Sequence, residues 1–260
     1  MEVRDKVVVV TGAASGIGAA LARRFKAEGA RAVALADLPS AALTEVAAGI
    51  EGLAVPCNVT CEPEVQALVA RVEAELGPID IFCSNAGILH LGEEDAPDAE
   101  WQAGWNVHVM AHVYAVRAVA PLMAARGGGY LLHTASSAGL LSHPLSASYA
   151  TTKRAAVAFA EWVSIKYRHR GVRVSVLAPQ SVRTPMIEGP GKVAMARDDG
   201  LMTPEQLADC VMDGLERETF LILPHPMVRE YLSRKTHDID RWLDGMNRWR
   251  RKSGESPASP

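Results

Sequence analysis

Val7-Val8-Val9-Val10-Thr11-Gly12-Ala13-Ala14-Ser15-Gly16-Ile17-Gly18 decides how the rest of this 260-residue sequence is read. Four consecutive valines suit a strand buried on both faces. Gly12 lets the chain turn sharply off that strand, Gly16 lets the backbone approach a pyrophosphate, and Gly18 lets helix and sheet pack closely. A helix opening here aims free N–H groups and partial positive charge at phosphates. The bland alternative is a tight β–α turn with no ligand. Its place after the first strand and before a helix favours a dinucleotide.

Outward from this loop, short apolar runs alternate with longer helical stretches. Val7–Val10, Ala32–Ala36, Leu53–Cys57, Ile79–Cys83, Tyr130–Thr134, Val172–Leu177 and Phe220–Leu223 read as strands. Helices are expected near 16–28, 39–49, 62–76, 98–125, 148–169 and 204–217, with a further one near 226–247. Pro63 and Pro204 fall in first turns, and Gly29, Gly77 and Gly171 follow last turns. Apolar strands separated by helices indicate a parallel sheet covered on both faces. Right-handed crossovers make it a doubly wound, Rossmann-type α/β sheet of about seven strands. No linker-like shift divides the chain. Residues 1–252 are expected to form a single dinucleotide-binding and catalytic domain, and 253–260 a disordered tail.

Composition narrows the partners. Hydrophobic residues make up 48% and charged ones 22%, and the net charge is −3. That is ordinary soluble composition, with no reason to expect nucleic acid or an anionic membrane surface. Arg248-Trp249-Arg250-Arg251-Lys252, the one basic cluster with an aromatic in it, reads as a solvated helix end. No uninterrupted apolar run approaches the ~20 residues that span a bilayer, and Val7–Val10 is too short for a signal peptide. Cys57, Cys61, Cys83 and Cys210 lack C-x-x-C spacing and read as reduced thiols in a cytoplasmic protein.

The sequence holds two Tyr-x-x-x-Lys pairs, a pattern that chance supplies in roughly one chain in two. Tyr231–Lys235 has nothing behind it as a reactive pair, with Glu218 thirteen residues upstream. Tyr149–Lys153 has Ser136 at that spacing, together with the glycine loop. Serine, tyrosine, lysine and a dinucleotide loop form a hydride-transfer site. Asp37 ends the second strand, 25 residues after Gly12. Its carboxylate can accept hydrogen bonds from adenosine ribose hydroxyls and repel a 2′-phosphate. No cation stands at Ser15 or Leu38 to neutralise that phosphate, so NAD is expected over NADP. The alternative for Asp37 is an acidic cap on the 39–49 helix.

With Asn85-Ala86-Gly87 after the fourth strand and Pro179 with Thr184, these motifs make residues 5 to 225 resemble the short-chain dehydrogenase/reductase family. The resemblance implies that Tyr149 is the general acid/base. Lys153 would lower its pKa and hold the nicotinamide ribose, and Ser136 would orient the reacting oxygen. Thr184 would bind the carboxamide, with Pro179 and Val182 beside the nicotinamide. Gly12, Ser15, Gly16, Ile17, Gly18, Asp37, Leu38, Asn58, Val59, Asn85, Ala86 and Gly87 would line the cofactor cleft. The expected reaction is interconversion of a secondary alcohol and a ketone in a small or medium apolar substrate. A homotetramer or homodimer packed through the 98–125 and 148–169 helices is implied as well.

Three positions depart from the family pattern. Asn58 replaces an acidic residue, with an amide that still suits adenine, and Gln180 replaces the glycine after Pro179. Counting back nine residues from Arg117, the family's catalytic asparagine is His108. Asn106 is two residues off and points elsewhere. His108 is either a proton relay titrating near neutrality or a tolerated helix histidine. His112 at i+4 invites a metal, but no third ligand accompanies them locally, so none is expected. His133 reads as a satisfied interior histidine, and His143 as either a substrate-pocket residue or a solvent-facing one. Trp101 and Trp105 read as packing anchors, Glu93-Glu94-Asp95 as a solvated loop, and Met186–Met202 as a mobile lid over the substrate. The rival readings are a non-catalytic NAD-binding regulator or scaffold, and an epimerase or dehydratase on the same fold.

Overall fold

The first strand sets the layers. In β1 (Val7–Thr11), Val7 and Val9 enter one core and Val8 and Val10 the other, as the two-residue period of a strand requires. The structure is a computed structural model describing residues 1–187 and 200–254.

Seven parallel strands lie in the order β3-β2-β1-β4-β5-β6-β7. The others are β2 (Ala32–Asp37), β3 (Leu53–Pro56), β4 (Ile81–Ser84), β5 (Gly129–Thr134), β6 (Val172–Leu177) and β7 (Leu221–Ile222). On the Val8/Val10 face pack α1 (Gly16–Ala27), α2 (Ala41–Ala48) and α8 (Pro204–Glu216). The opposite face carries α3 (Glu62–Glu75), α5 (Ala111–Ala125) and α7 (Ala147–Tyr167). The doubly wound sheet is as expected. Its strand order reverses between β1 and β4, where such sheets open a cleft beyond their carboxyl ends.

Several boundaries differ from expectation. The fourth strand begins at Ile81, because Asp80 turns its carboxylate back to accept from the Val7 amide at 2.8 Å. Ser40, not Asp37, caps α2, accepting from the Leu43 amide. The expected 226–247 helix is two, α9 (Met227–His237) and α10 (Ile239–Gly254), broken where Asp238 is extended. α10 continues through residues 253 and 254 of the expected tail; 255–260 lie outside the described residues. So does most of the expected lid, of which only Met186, Ile187 and 200–202 are described.

The expected 98–125 helix is α4 (Asp98–Trp105) joined to α5 by a π-helical turn at Asn106–Met110. By length and composition alone it could cross a bilayer. Half of its most apolar window is buried inside this fold. Trp105 is 41% exposed and does not anchor packing.

Candidate active site

At the strand reversal, Thr11 ties β1 to the end of β4 and the loop after it. Its hydroxyl donates to the Cys83 carbonyl at 3.2 Å and accepts from the amides of Asn85 at 2.9 Å and Ala86 at 3.2 Å. Asn85 donates its side-chain amide to the Thr11 carbonyl and accepts from the Thr134 hydroxyl. It therefore ties β1, β4 and β5 together under the cleft.

The phosphate loop packs so closely on its neighbours that two of its positions admit only glycine. Gly12 has φ +65°, and a Cβ there would lie 2.7 Å from Ala86 Cα. A Cβ on Gly18 would lie 2.1 Å from the Gly12 carbonyl oxygen, so only glycine lets α1 start this close to β1. Asp37 reaches this loop, one carboxylate oxygen accepting from Ala14 N–H at 2.9 Å and the other from Leu38 N–H at 2.8 Å. Leu38 itself is 58% exposed. Asn58 uses its side-chain oxygen on Thr60, leaving its NH2 group to donate.

One cleft of about 680 Å³ collects Gly12, Ser15, Gly16, Ile17, Gly18, Asp37, Leu38, Asn58, Val59, Asn85, Ala86 and Gly87. Ser136, Tyr149, Lys153, Pro179, Val182 and Thr184 line the same cleft. Sequence separations of over a hundred residues thus close onto one surface. His108 does not line it.

Tyr149 stands in the first turn of α7, whose N-cap Ser146 accepts from the Tyr149 amide at 3.2 Å. The Ser146 hydroxyl donates to the His90 carbonyl at 2.6 Å, joining α7 to the loop after β4. Lys153 follows one turn later, buried, and donates from Nζ to the Thr134 carbonyl at 3.0 Å. Burial pulls its pKa down to about 7. Burial also raises the Tyr149 phenol, opposed by a hydrogen bond from Ser136. Lys153 Nζ stands 5.7 Å from the centroid of the Tyr149 ring. The ammonium is committed to Thr134 and is itself disfavoured by the same enclosure.

The histidines also differ from expectation. His108 packs edge-on to the Tyr149 ring at 5.4 Å. Its Nε2 accepts from the Ile88 amide at 3.2 Å, and its Nδ1 lies 2.8 Å from the Thr152 hydroxyl. Burial, with the nearby Lys153 charge, pulls its pKa down to about 2, which opposes a relay that titrates near neutrality. Asn106 meets Gln102 at the exposed surface, away from the cleft. His133 bonds His112 through Nδ1 at 2.9 Å, but both Nε2 atoms are buried without a partner, so neither ring is fully satisfied. No group of three or more His, Cys, Asp or Glu among the described residues could hold a metal. His143 lines the cleft, its Nδ1 accepting from the Leu145 amide. Burial lowers its pKa to about 4.

Sequence reasoning missed Ser146, Thr152 and the C-terminal part of the cleft. A serine three residues before Tyr149 was a readable N-cap signal. Tyr231, Trp242, Met246 and Trp249 also line the cleft. The basic cluster at 248–252 is therefore not wholly a solvated end. Trp249 faces the site, and Arg250 pairs at 2.6 Å with Glu93 of the loop expected to be solvated. Lys235 donates to the Leu140 carbonyl at 2.6 Å.

Comparisons with known proteins agree with this geometry. The family model described as short chain dehydrogenase matches residues 6–192. A 1-deoxy-11-beta-hydroxypentalenate dehydrogenase of Streptomyces exfoliatus is 35% identical, over 92% of this chain and 90% of its own. A short chain dehydrogenase/reductase from Burkholderia phymatum, solved in complex with NAD, aligns with TM-score 0.85 at 26% identity, covering 92% of this chain and 96% of its own. L-sorbose reductase from Gluconobacter frateurii, complexed with NADPH and L-sorbose, aligns with TM-score 0.77 at 28% identity, covering 86% and 97%. With the glycine loop, Ser136, Tyr149 and Lys153 on one cleft and this match over most of its length, the chain belongs to the short-chain dehydrogenase/reductase family.

Proposed function

We propose that this oxidoreductase interconverts a secondary alcohol and a ketone with NAD, Tyr149 moving the proton. The observation that carries the reading is the convergence of Ser136, Tyr149 and Lys153 on the cleft that holds the phosphate loop. A bound nicotinamide, held beside Pro179, Val182 and Thr184, would supply the hydride acceptor for oxidation and the hydride donor for reduction. The Tyr149 oxygen takes the alcohol's proton during oxidation and gives it back during reduction. The Ser136 hydroxyl stabilises the phenolate that forms, and it stands where it can orient the substrate oxygen. Lys153 spends one N–H on Thr134 and, when protonated, keeps two donors for the ribose and the proton path.

Asp37 supports NAD over NADP, since its carboxylate sits in the cleft beside Ala14 and Leu38, with no cation at Ser15 or Leu38. Trp162 and Ile165 of α7, 53% and 79% exposed, with Trp105 and Leu122, support association of copies through the α4–α5 and α7 faces. The four free cysteines support a cytoplasmic setting. Incubation with NAD and a panel of secondary alcohols, followed by NADH absorbance, tests the activity. Net NADH from the parent but not from Tyr149→Phe is the expected result. No net NADH would favour an epimerase, a dehydratase or a binding protein.

A further inference from the structure

The C-terminal hairpin lies beyond the family-matched residues 6–192, yet it supplies one side of the cleft. Among its described side chains α10 has none fully buried, and apolar ones recur at Trp242, Met246 and Trp249. At 3.6 residues per turn those three share one face. All three are partly covered, and all three line the cleft. Leu243, one residue off that face, is 53% exposed.

The hairpin is tied down at both ends. In α9, Lys235 holds the Leu140 carbonyl, which Arg154 also holds, so α9 is fixed to α6 (Ala138–Leu141). Near the end of α10, Arg250 pairs with Glu93, in the loop joined to Ser146 through His90 and to Leu145 and Ala147 through Gly92. Tyr231 packs on Trp242 with ring centroids 6.1 Å apart, stiffening the hairpin between these ties. Leu141 and Pro144 line the same cleft beside the catalytic tyrosine.

We propose that the Trp242–Met246–Trp249 face of α10 is the specificity wall of this site, selecting a ketone or alcohol carried on a rigid apolar ring skeleton. The polar groups Ser136, His143 and Tyr149 cluster where the oxygen reacts, while the wall offers indole and thioether surface to the rest of the substrate. A rigid ring fills such a surface without freezing rotors, which a flexible chain must do. The Arg250–Glu93 ion pair holds the wall across the mouth of the cleft.

The proposal rests on the oxidoreductase reading above, and the experiment separates the two. Binding of 2-decalone and of butan-2-one is measured by calorimetry on Tyr149→Phe with NADH, while the parent is assayed with decahydro-2-naphthol and NAD. The expected result is 2-decalone binding at least about tenfold tighter than butan-2-one. Adding Trp249→Ala or Met246→Ala removes most of that preference, and Trp249→Phe retains it. NADH affinity reports folding of each variant. Should Trp249→Ala fail to fold, Met246→Ala and Arg250→Ala decide, the latter loosening the wall and weakening 2-decalone several-fold. Equal affinity for the two ketones, or a preference indifferent to Trp249, Met246 and Arg250, overturns the wall. If 2-decalone binds through the wall but the parent forms no NADH from the alcohol, the wall stands and the redox reading fails.

Discussion

His108 and Thr152 form a buried pair whose protons are fixed: the Thr152 hydroxyl donates to a carbonyl of its own helix, so the imidazole Nδ1–H is the donor between them. Nε2 accepts from Ile88, which leaves a neutral ring with a single tautomer. An asparagine offers the same donor and acceptor pair. We therefore expect His108→Asn to keep activity and to leave the rate profile between pH 6 and 8 unaltered (roughly the range where a free histidine titrates). His108→Ala leaves the Ile88 amide and Thr152 without partners and should cost about 1–3 kcal/mol of stability. An inflection near neutrality that disappears in His108→Asn would show that the ring does titrate there.

Acid should unfold the protein early. His108, His133 and His143 have pKa values lowered to about 2, about 4 and about 4, and His112 is lowered well below its ordinary value, all chiefly by burial. Below about pH 6.5 the unfolded chain takes up protons that the folded chain refuses, so stability falls as pH falls. Each such histidine contributes a slope of up to about 1.4 kcal/mol per pH unit. Urea unfolding at a series of pH values should show this slope, shallower by about one proton in His108→Asn. A flat profile down to pH 4.5, roughly two units below a free histidine's pKa, would contradict the burial.

Lys153 works in the opposite pH range. Its folded pKa of about 7 lies below the unfolded value. Between about pH 7 and about 10.4 the unfolded chain therefore holds a proton the folded chain has lost, and stability rises with pH. Other groups titrate there too, so the measurement is a difference. The stability of the parent relative to Lys153→Met should increase from pH 7 to 9, and NAD binding by the variant should weaken. A difference that stays constant over that range sinks the assignment.

The Tyr149 phenol is raised by burial and lowered by Ser136. Alcohol oxidation should consequently keep climbing with pH through the alkaline range, and Ser136→Ala should move the rise further upward. Tyr149→Phe should lose about a hundredfold or more in turnover, with NAD affinity close to the parent's. Near-normal turnover by Tyr149→Phe removes the tyrosine from the mechanism.

Cofactor choice should follow Asp37. NADP is expected to bind about a hundredfold more weakly than NAD, from the clash of its 2′-phosphate with the carboxylate. Asp37→Ala should narrow that gap and weaken NAD as well, since Ala14 and Leu38 lose their acceptor. Comparable dissociation constants for the two cofactors in the parent would contradict the role.

The sheet and the cofactor side of the cleft were legible because they depend on local signals. Val7–Val10 is apolar at every position, and Gly12 and Gly18 stand where a Cβ meets backbone. The substrate side was not legible, because its residues gain meaning only through long-range packing. Trp249 sits in a run of cations that reads as solvated, and nothing local shows that Arg250 will meet Glu93. Protonation was hidden for the same reason. His108 and Lys153 look ordinary in sequence, and only their enclosure shows which charge states they hold.

The π-helical turn at Asn106–Met110 absorbs one residue. One residue in a regular α-helix turns the chain by about 100°, and a π turn fits one more residue than an α turn into a single circuit of the axis. α4 and α5 therefore keep nearly one helical phase across it. Deleting a residue between 106 and 110 would restore the regular helix and leave Glu100 near His90, 3.8 Å away in the present setting. Deleting a residue within α5 would instead turn α4 by roughly 100° and swing Glu100 away from the loop that His90 joins to Ser146. The π turn is thus a length of slack, a residue this long helix can lose without turning the rim beside Tyr149.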